Sequence, residues 1–149
     1  MPRCNHSLTV RAPLETVWAL LLDKIEHPQR YIESVMDYSI LERGDGWVLR
    51  EMELPGEFRL RERILVDEAA RSLTFTLVEH PSFEGSVRNH VRALPGREDA
   101  VELEFEMDWR ERPGAPSPAE DPCGMVQSAV AHMRDIAEEL CRAAEGQGR

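Results

Sequence analysis

The sequence predicts an α+β fold: one strand, two short helices, six further strands and a long terminal helix. Three observations predict it. A helical apolar stripe from Leu14 to Ile25 follows a short alternating segment. Between Met36 and Arg110 apolar and polar residues alternate with a period of two, broken by compact turn signals. A second helical stripe begins after residue 121 and runs nearly to the end.

The elements follow in order. HSLTVRA (6–12) is the first strand, with Leu8 and Val10 on one face. Pro13 suits the first position of a helix, and Glu15 lies near that helix's positive end. Leu14, Val17, Trp18, Leu21, Leu22 and Ile25 keep helical spacing until Pro28 breaks it, and QRYIE suggests a short second helical turn. The strands MDYSILER, WVLREMEL, FRLRERILV, SLTFTLV, SVRNHVRAL and AVELEFEMDW are separated by turns at GDG (44–46), PGE (55–57), DEAAR (67–71), HPSFEG (80–85) and PGRED (95–99). Such closely spaced turns imply an antiparallel meander. ERPGAPSPAEDP supplies a proline-rich connection over about 111–120. Asp121 is the best start for the terminal helix, expected over 121–144, with Ser117 and Glu120 forming a rival capping box. Val126, Ala129, Val130, Met133, Ile136, Ala137 and Leu140 mark its stripe, and Gly146 and Gly148 should end it. Residues 1–149 are expected to form one domain.

Composition narrows the function. With 28 acidic and 18 basic residues the net charge is −10, which argues against nucleic acid and anionic membranes as partners. The N-terminal segment lacks a secretory apolar region, and the longest apolar run, Trp18 to Leu22, is too short for membrane insertion. Cys4, Cys123 and Cys141 are widely spaced and read as reduced thiols, so a cytoplasmic location is expected. The histidines show no HxxxH or HExxH spacing, and no metal site is expected. There is no Gly-rich phosphate loop and no GxSxG, so neither a cofactor nor a serine nucleophile is expected.

Charge patterning fixes the register. Across the PGE turn Leu54 should face Phe58, Met52 should face Leu60, and Val48 should face Ile64. The outer face then pairs Glu53 with Arg59 and Glu51 with Arg61. Across PGRED, Ala93 should face Val101, Val91 Leu103, Asn89 Phe105 and Val87 Met107, with Arg92–Glu102 and Arg88–Glu106 outside. The inner face is apolar except for Glu42, Arg50, Glu62 and Asn89. Arg50 and Glu62 face each other in mid-strand, where an unpaired charge would cost several kcal/mol or more. Asn89 is expected at a similar level, satisfied by Glu62, water or a ligand.

The order strand, two helices, six strands and long helix resembles the helix-grip fold of the START-like (SRPBCC) superfamily, which includes Bet v-type allergens and polyketide cyclases. The segment VRAPLETVWALLLDKIEHPQRYIESVMDYSILER resembles the start of its members, and the stretch through FRLRERI looks most like the acetylaranotin-biosynthesis-cluster protein L-like branch. The resemblance implies a curved sheet of about seven strands around the C-terminal helix. It also implies a cavity between them that holds a small hydrophobic molecule. In this chain Tyr38, Met52, Leu60, Phe75, Phe105, Met107 and Met133 would line it, beside Ala129 and Ile136. The methionines suit an adaptable wall and equally an ordinary core.

Three readings follow. A binding protein would use Arg50, Glu62 and Asn89 to orient a ligand's polar group, unless Arg50 and Glu62 are a structural ion pair. A cyclase- or dehydratase-like enzyme would use Glu62 as base and Arg50 to polarise a carbonyl. An interaction module, or a homodimer, would use the outer residues Leu41, Trp47, Leu49 and Leu65. Trp18 and Trp109 read as core aromatics. His90 falls on the outer face and His132 beside the apolar stripe of the terminal helix, so both are weak acid–base candidates.

Overall fold

A computed structural model of the chain describes residues 3–32, 34–55, 58–114 and 122–147. Strand β1 (Arg3–Val10) leads into helix α1 (Leu14–Glu26) and a single 3-10 turn, Pro28–Arg30. The meander follows as β2 (Asp37–Gly44), β3 (Trp47–Leu54), β4 (Phe58–Asp67), β5 (Ser72–Glu79), β6 (Phe83–Leu94) and β7 (Arg97–Glu111). Helix α2 (Pro122–Gln147) completes the chain.

The strands form one seven-stranded antiparallel sheet in the order β1-β7-β6-β5-β4-β3-β2. Consecutive strands β2 to β7 pair as neighbours, and β1 adds to the far edge beside β7. The chain must therefore cross from one sheet edge to the other between β1 and β2. Helix α1 makes that crossing and packs against β6 and β7, while α2 lies on β1, β7 and α1. This is the helix-grip arrangement, with a sheet curved over a long terminal helix.

Both charge-derived registers hold, including Arg50 opposite Glu62 and Asn89 opposite Phe105. The core fills the space between the sheet and the two helices. Val17 and Leu21 from α1, Ile64, Leu73 and Leu103 from the sheet, and Val130 and Ala137 from α2 have no exposed surface. Each larger side chain contributes about 1.5–3 kcal/mol by leaving water. Trp18 and Trp109 are buried, and Trp18 Nε1 donates to Glu68.

Four expectations need correction. A bulge between Ile40 and Glu42 shifts the register of β2, so Glu42 stands opposite the outer-face Leu49 and leaves the inner face. Arg43 takes the position opposite Val48 instead and reaches Glu26 at the end of α1, with two hydrogen bonds of 2.6 Å. Phe83–Gly85, expected in a turn, belongs to β6. Gly85 has φ +119°, and a Cβ there would collide with the carbonyl of Asp108, so glycine lets the ladder continue. Helix α2 runs through Gly146 rather than ending before it. The expected helix start at Asp121, the Ser117–Glu120 box and Gly148 lie outside the described residues. Finally, Cys4 and Cys123 are joined in a disulfide between β1 and the first turn of α2, and Cys141 is free. A separation of 119 residues hides that proximity from the sequence.

Candidate functional site

Helix α1 buries Val17, Trp18, Leu21, Lys24 and Ile25. Four of these are apolar and the fifth is a lysine. Lys24 lies seven residues after Val17 and three after Leu21, so helical geometry turns it toward the sheet. Its side chain is only 8% exposed. The end of the helix is braced there: Tyr31 donates to Asp23 at 2.6 Å, and Arg43 clamps Glu26.

Arg50, on β3, rises to meet this helix end and is 1% exposed. Its Nη1 donates to the carbonyls of Lys24 at 2.9 Å and Ile25 at 3.1 Å. Those carbonyls belong to the last turn of α1, which lacks intrahelical donors and carries the negative end of the dipole. The Arg50 Nη2 donates to Glu62 Oε1 at 3.0 Å. One guanidinium thus ties α1 to β3 and β4. Its Nε is buried and has no hydrogen-bond partner among the described residues.

Asn89 is 1% exposed and accepts a hydrogen bond from Lys24 Nζ. The expected partners were Glu62, water or a ligand; at Oδ1 Lys24 takes that place. The levels differ as well: Glu62 faces Leu77 on β5, whereas Asn89 faces Leu73. Lys24 bridges the gap from above. Its Nζ lies 4.4 Å from the centroid of Phe105 and 4.9 Å from that of Phe75, and Arg50 Cζ lies 5.7 Å from the same Phe75 ring.

Two basic groups and one acid therefore share an apolar interior. Burial first, and then the Arg50 charge, lower the Lys24 pKa against the opposing pull of Glu62, and together they take it from 10.5 to about 7. Near neutrality much of this amine is unprotonated. Arginine cannot play that part, because its guanidinium stays charged.

The other lining residues divide into two groups. Phe75, Phe105, Met107 and Met133 belong to the main core. Met52 and Leu60 are also buried, one step farther along β3 and β4 beyond the Arg50–Glu62 pair. Tyr38 faces Met52, is half-buried, and places its hydroxyl 3.5 Å from His27 Nδ1. Ile40 and Leu77, which flank Arg50 and Glu62 across the sheet, are half-buried too. Two surface depressions lie elsewhere, one at Gly96–Asp99 and one formed by Thr9, Arg11, Arg97, Arg134, Asp135 and Glu138. Neither touches Lys24.

Sequence reasoning missed Lys24. Two signals were available. It interrupts the apolar face of α1, and it is the single lysine among 18 basic residues, the other 17 being arginine.

Comparison with known proteins agrees with this architecture. A family model described as polyketide cyclase / dehydrase and lipid transport matches residues 1–145. No curated protein matches the sequence. Among solved structures, the Zhui aromatase/cyclase from Streptomyces sp. R1128 superposes with a TM-score of 0.78 at 20% identity, covering 96% of this chain and 97% of that one. A START superfamily protein from Mycobacterium smegmatis gives 0.71 at 16% identity, covering 93% and 98%. Norcoclaurine synthase from Thalictrum flavum, in complex with dopamine and hydroxybenzaldehyde, gives 0.71 at 16%, covering 93% and 87%. At these identities the likeness is one of fold.

Proposed function

Because the chain belongs to the polyketide cyclase / dehydrase and lipid transport family, we propose that it binds a small hydrophobic ligand between the sheet and α2. The ligand is of lipid, polyketide or aromatic type, and its polar group meets Arg50, Glu62 and Asn89. The observation that carries this reading is the unpartnered Nε of a fully buried Arg50. A buried donor without an acceptor costs about 1–3 kcal/mol, and a ligand oxygen would remove that cost. Buried side chains of the described residues pack this region, and the ligand makes room by displacing them. Met52, Met107 and Met133 are the adaptable ones.

Uptake of the fluorescent probe N-phenyl-1-naphthylamine tests the reading, together with native mass spectrometry of gently purified protein. A retained small molecule or saturable uptake is expected, and Glu62→Gln should weaken uptake more than it lowers the melting temperature. A folded protein that takes up no apolar probe removes the reading.

A second reading is an enzyme of cyclase or dehydratase type with Glu62 as base. Glu62 is 8% exposed against 1% for Arg50 and Asn89, so it is the member of the three that touches solvent. Turnover lost in Glu62→Gln with binding retained would favour it. For the outer face, Leu41 and Leu65 are 39% and 48% exposed, and Arg63 covers the Trp47 ring at 4.9 Å. A homodimer through this patch predicts a smaller mass for Trp47→Ala in light scattering. We propose a cytoplasmic location for it, where the Cys4–Cys123 disulfide, with its Cα atoms 6.1 Å apart, would be open to reduction.

A further inference from the structure

We infer that Lys24 is an amine nucleophile that captures the carbonyl group of an apolar aldehyde or ketone as a Schiff base. The inference rests on the ligand-binding reading and names the ligand's chemistry.

The argument begins with residue choice. Wherever this chain forms ion pairs among the described residues, the cation is arginine. Its one lysine is placed in the interior instead. A buried charge is the reason to avoid lysine there. A neutral amine is the reason to want one, since it is the form that attacks a carbonyl.

Burial and the Arg50 charge favour the neutral form over the pull of Glu62 toward the ammonium. Phe75 on β5 and Phe105 on β7 hold the amine against apolar faces. Arg50 on β3 supplies a permanent positive charge close by, and Glu62 on β4 already serves as its counter-ion. Asn89 on β6 fixes the direction of one N–H, which orients the nitrogen. Desolvation and a neighbouring cation are the two devices that make a lysine nucleophilic near neutral pH, and both are present.

The step balances without a redox partner. The amine nitrogen bonds to the carbonyl carbon, and the C=O electron pair moves to oxygen, which takes a proton from the nitrogen. The resulting carbinolamine then breaks its C–O bond. Oxygen leaves with a second proton as water, and a C=N bond remains. Arg50 Nε, which has no partner among the described residues, would be the donor for the oxygen, and Glu62, whose charge acts on Lys24, would carry the proton transfers.

The test is reductive trapping on the whole chain. Protein is incubated with hexanal and sodium cyanoborohydride at neutral pH, and the rate of hexyl addition at Lys24 is read by peptide mapping. The amino terminus maps to a different peptide, so no other amine obscures the site. The same measurement is made on the chain unfolded in urea. A nucleophilic Lys24 reacts at least tenfold faster in the folded protein, because unfolding restores an ordinary ammonium. A merely structural lysine reacts more slowly when folded, because it is shielded. Naphthylamine uptake is measured in parallel. Slower trapping in the folded state with uptake intact overturns the Schiff-base inference and leaves the binding reading standing. Loss of both overturns both.

Discussion

Replacing Lys24 by methionine should stabilise the protein at neutral pH, and the gain should fade as pH rises. Folding takes the ammonium from 10.5 to about 7. A difference of about 3.5, at ~1.4 kcal/mol per unit, gives a penalty of about 5 kcal/mol well below pH 7. Between pH 10.5 and 7 the unfolded chain holds a proton that the folded chain releases. Stability therefore falls as pH drops through this window and levels off below it. At pH 7 the penalty is about 4 kcal/mol, and at pH 9.5 about 1 kcal/mol. Methionine abolishes it but leaves Asn89 Oδ1 without its donor, a cost of roughly 1–3 kcal/mol that does not vary with pH. The variant should thus be more stable than the parent by about 1–3 kcal/mol at pH 7. At pH 9.5 it should be no better or slightly worse. Urea unfolding followed by tryptophan fluorescence reads both values, since Trp18 and Trp109 are buried. His80 and His90, with pKa values lowered mainly by burial, titrate below the window, and Tyr31, raised by burial and by its bond to Asp23, titrates above it. All three are common to both proteins and cancel. A stability difference that stays constant between the two pH values would refute neutral burial of the amine.

Glu62→Ala should cost about 3–5 kcal/mol, because it strands the Arg50 charge; Glu62→Gln strands the same charge but keeps an acceptor, and should cost less. Variants as stable as the parent in urea would argue against a buried ion pair. Cys4→Ser should remove about 2–5 kcal/mol under oxidising conditions and make stability insensitive to reductant. A parent protein whose midpoint ignores reductant would show that the β1–α2 bond is not formed in solution. Gly85→Ala should lower stability by at least ~2 kcal/mol, through both its φ of +119° and the clash with the Asp108 carbonyl, as read by thermal melting.

The meander was legible because its two faces are written in different alphabets. Glu51, Glu53, Arg59 and Arg61 allow one register in which every charge meets its opposite, and a slip of one residue exposes the core. The same logic placed Arg88 and Arg92 against Glu106 and Glu102. The logic fails at a bulge, which inserts a residue without changing composition. Glu42 therefore misled, and the inner-face position expected for it went to Arg43, which clamps Glu26. It also says nothing about what descends onto the sheet from a helix. Arg50, Glu62 and Asn89 were found from strand alternation alone. Their common neighbour Lys24 comes from α1, and neither the helix carbonyls held by Arg50 nor the amine held by Asn89 has a signature in the strands.

The structural duties at this site explain Arg50 and Glu62 but not Lys24. Arg50 closes the end of α1 through backbone carbonyls, which any residue at position 24 would supply. Glu62 balances Arg50. Lys24 and Asn89 satisfy chiefly each other, and a pair of apolar side chains of similar volume would pack between Phe75 and Phe105 without the cost of desolvating an amine. An expense of several kcal/mol is large against a total stability of roughly 5–15 kcal/mol. A local rule broken at that cost, with no gain to folding, is where function is to be sought. By this reasoning the centre of the site lies on the helix above the sheet, at the nitrogen of the chain's single lysine.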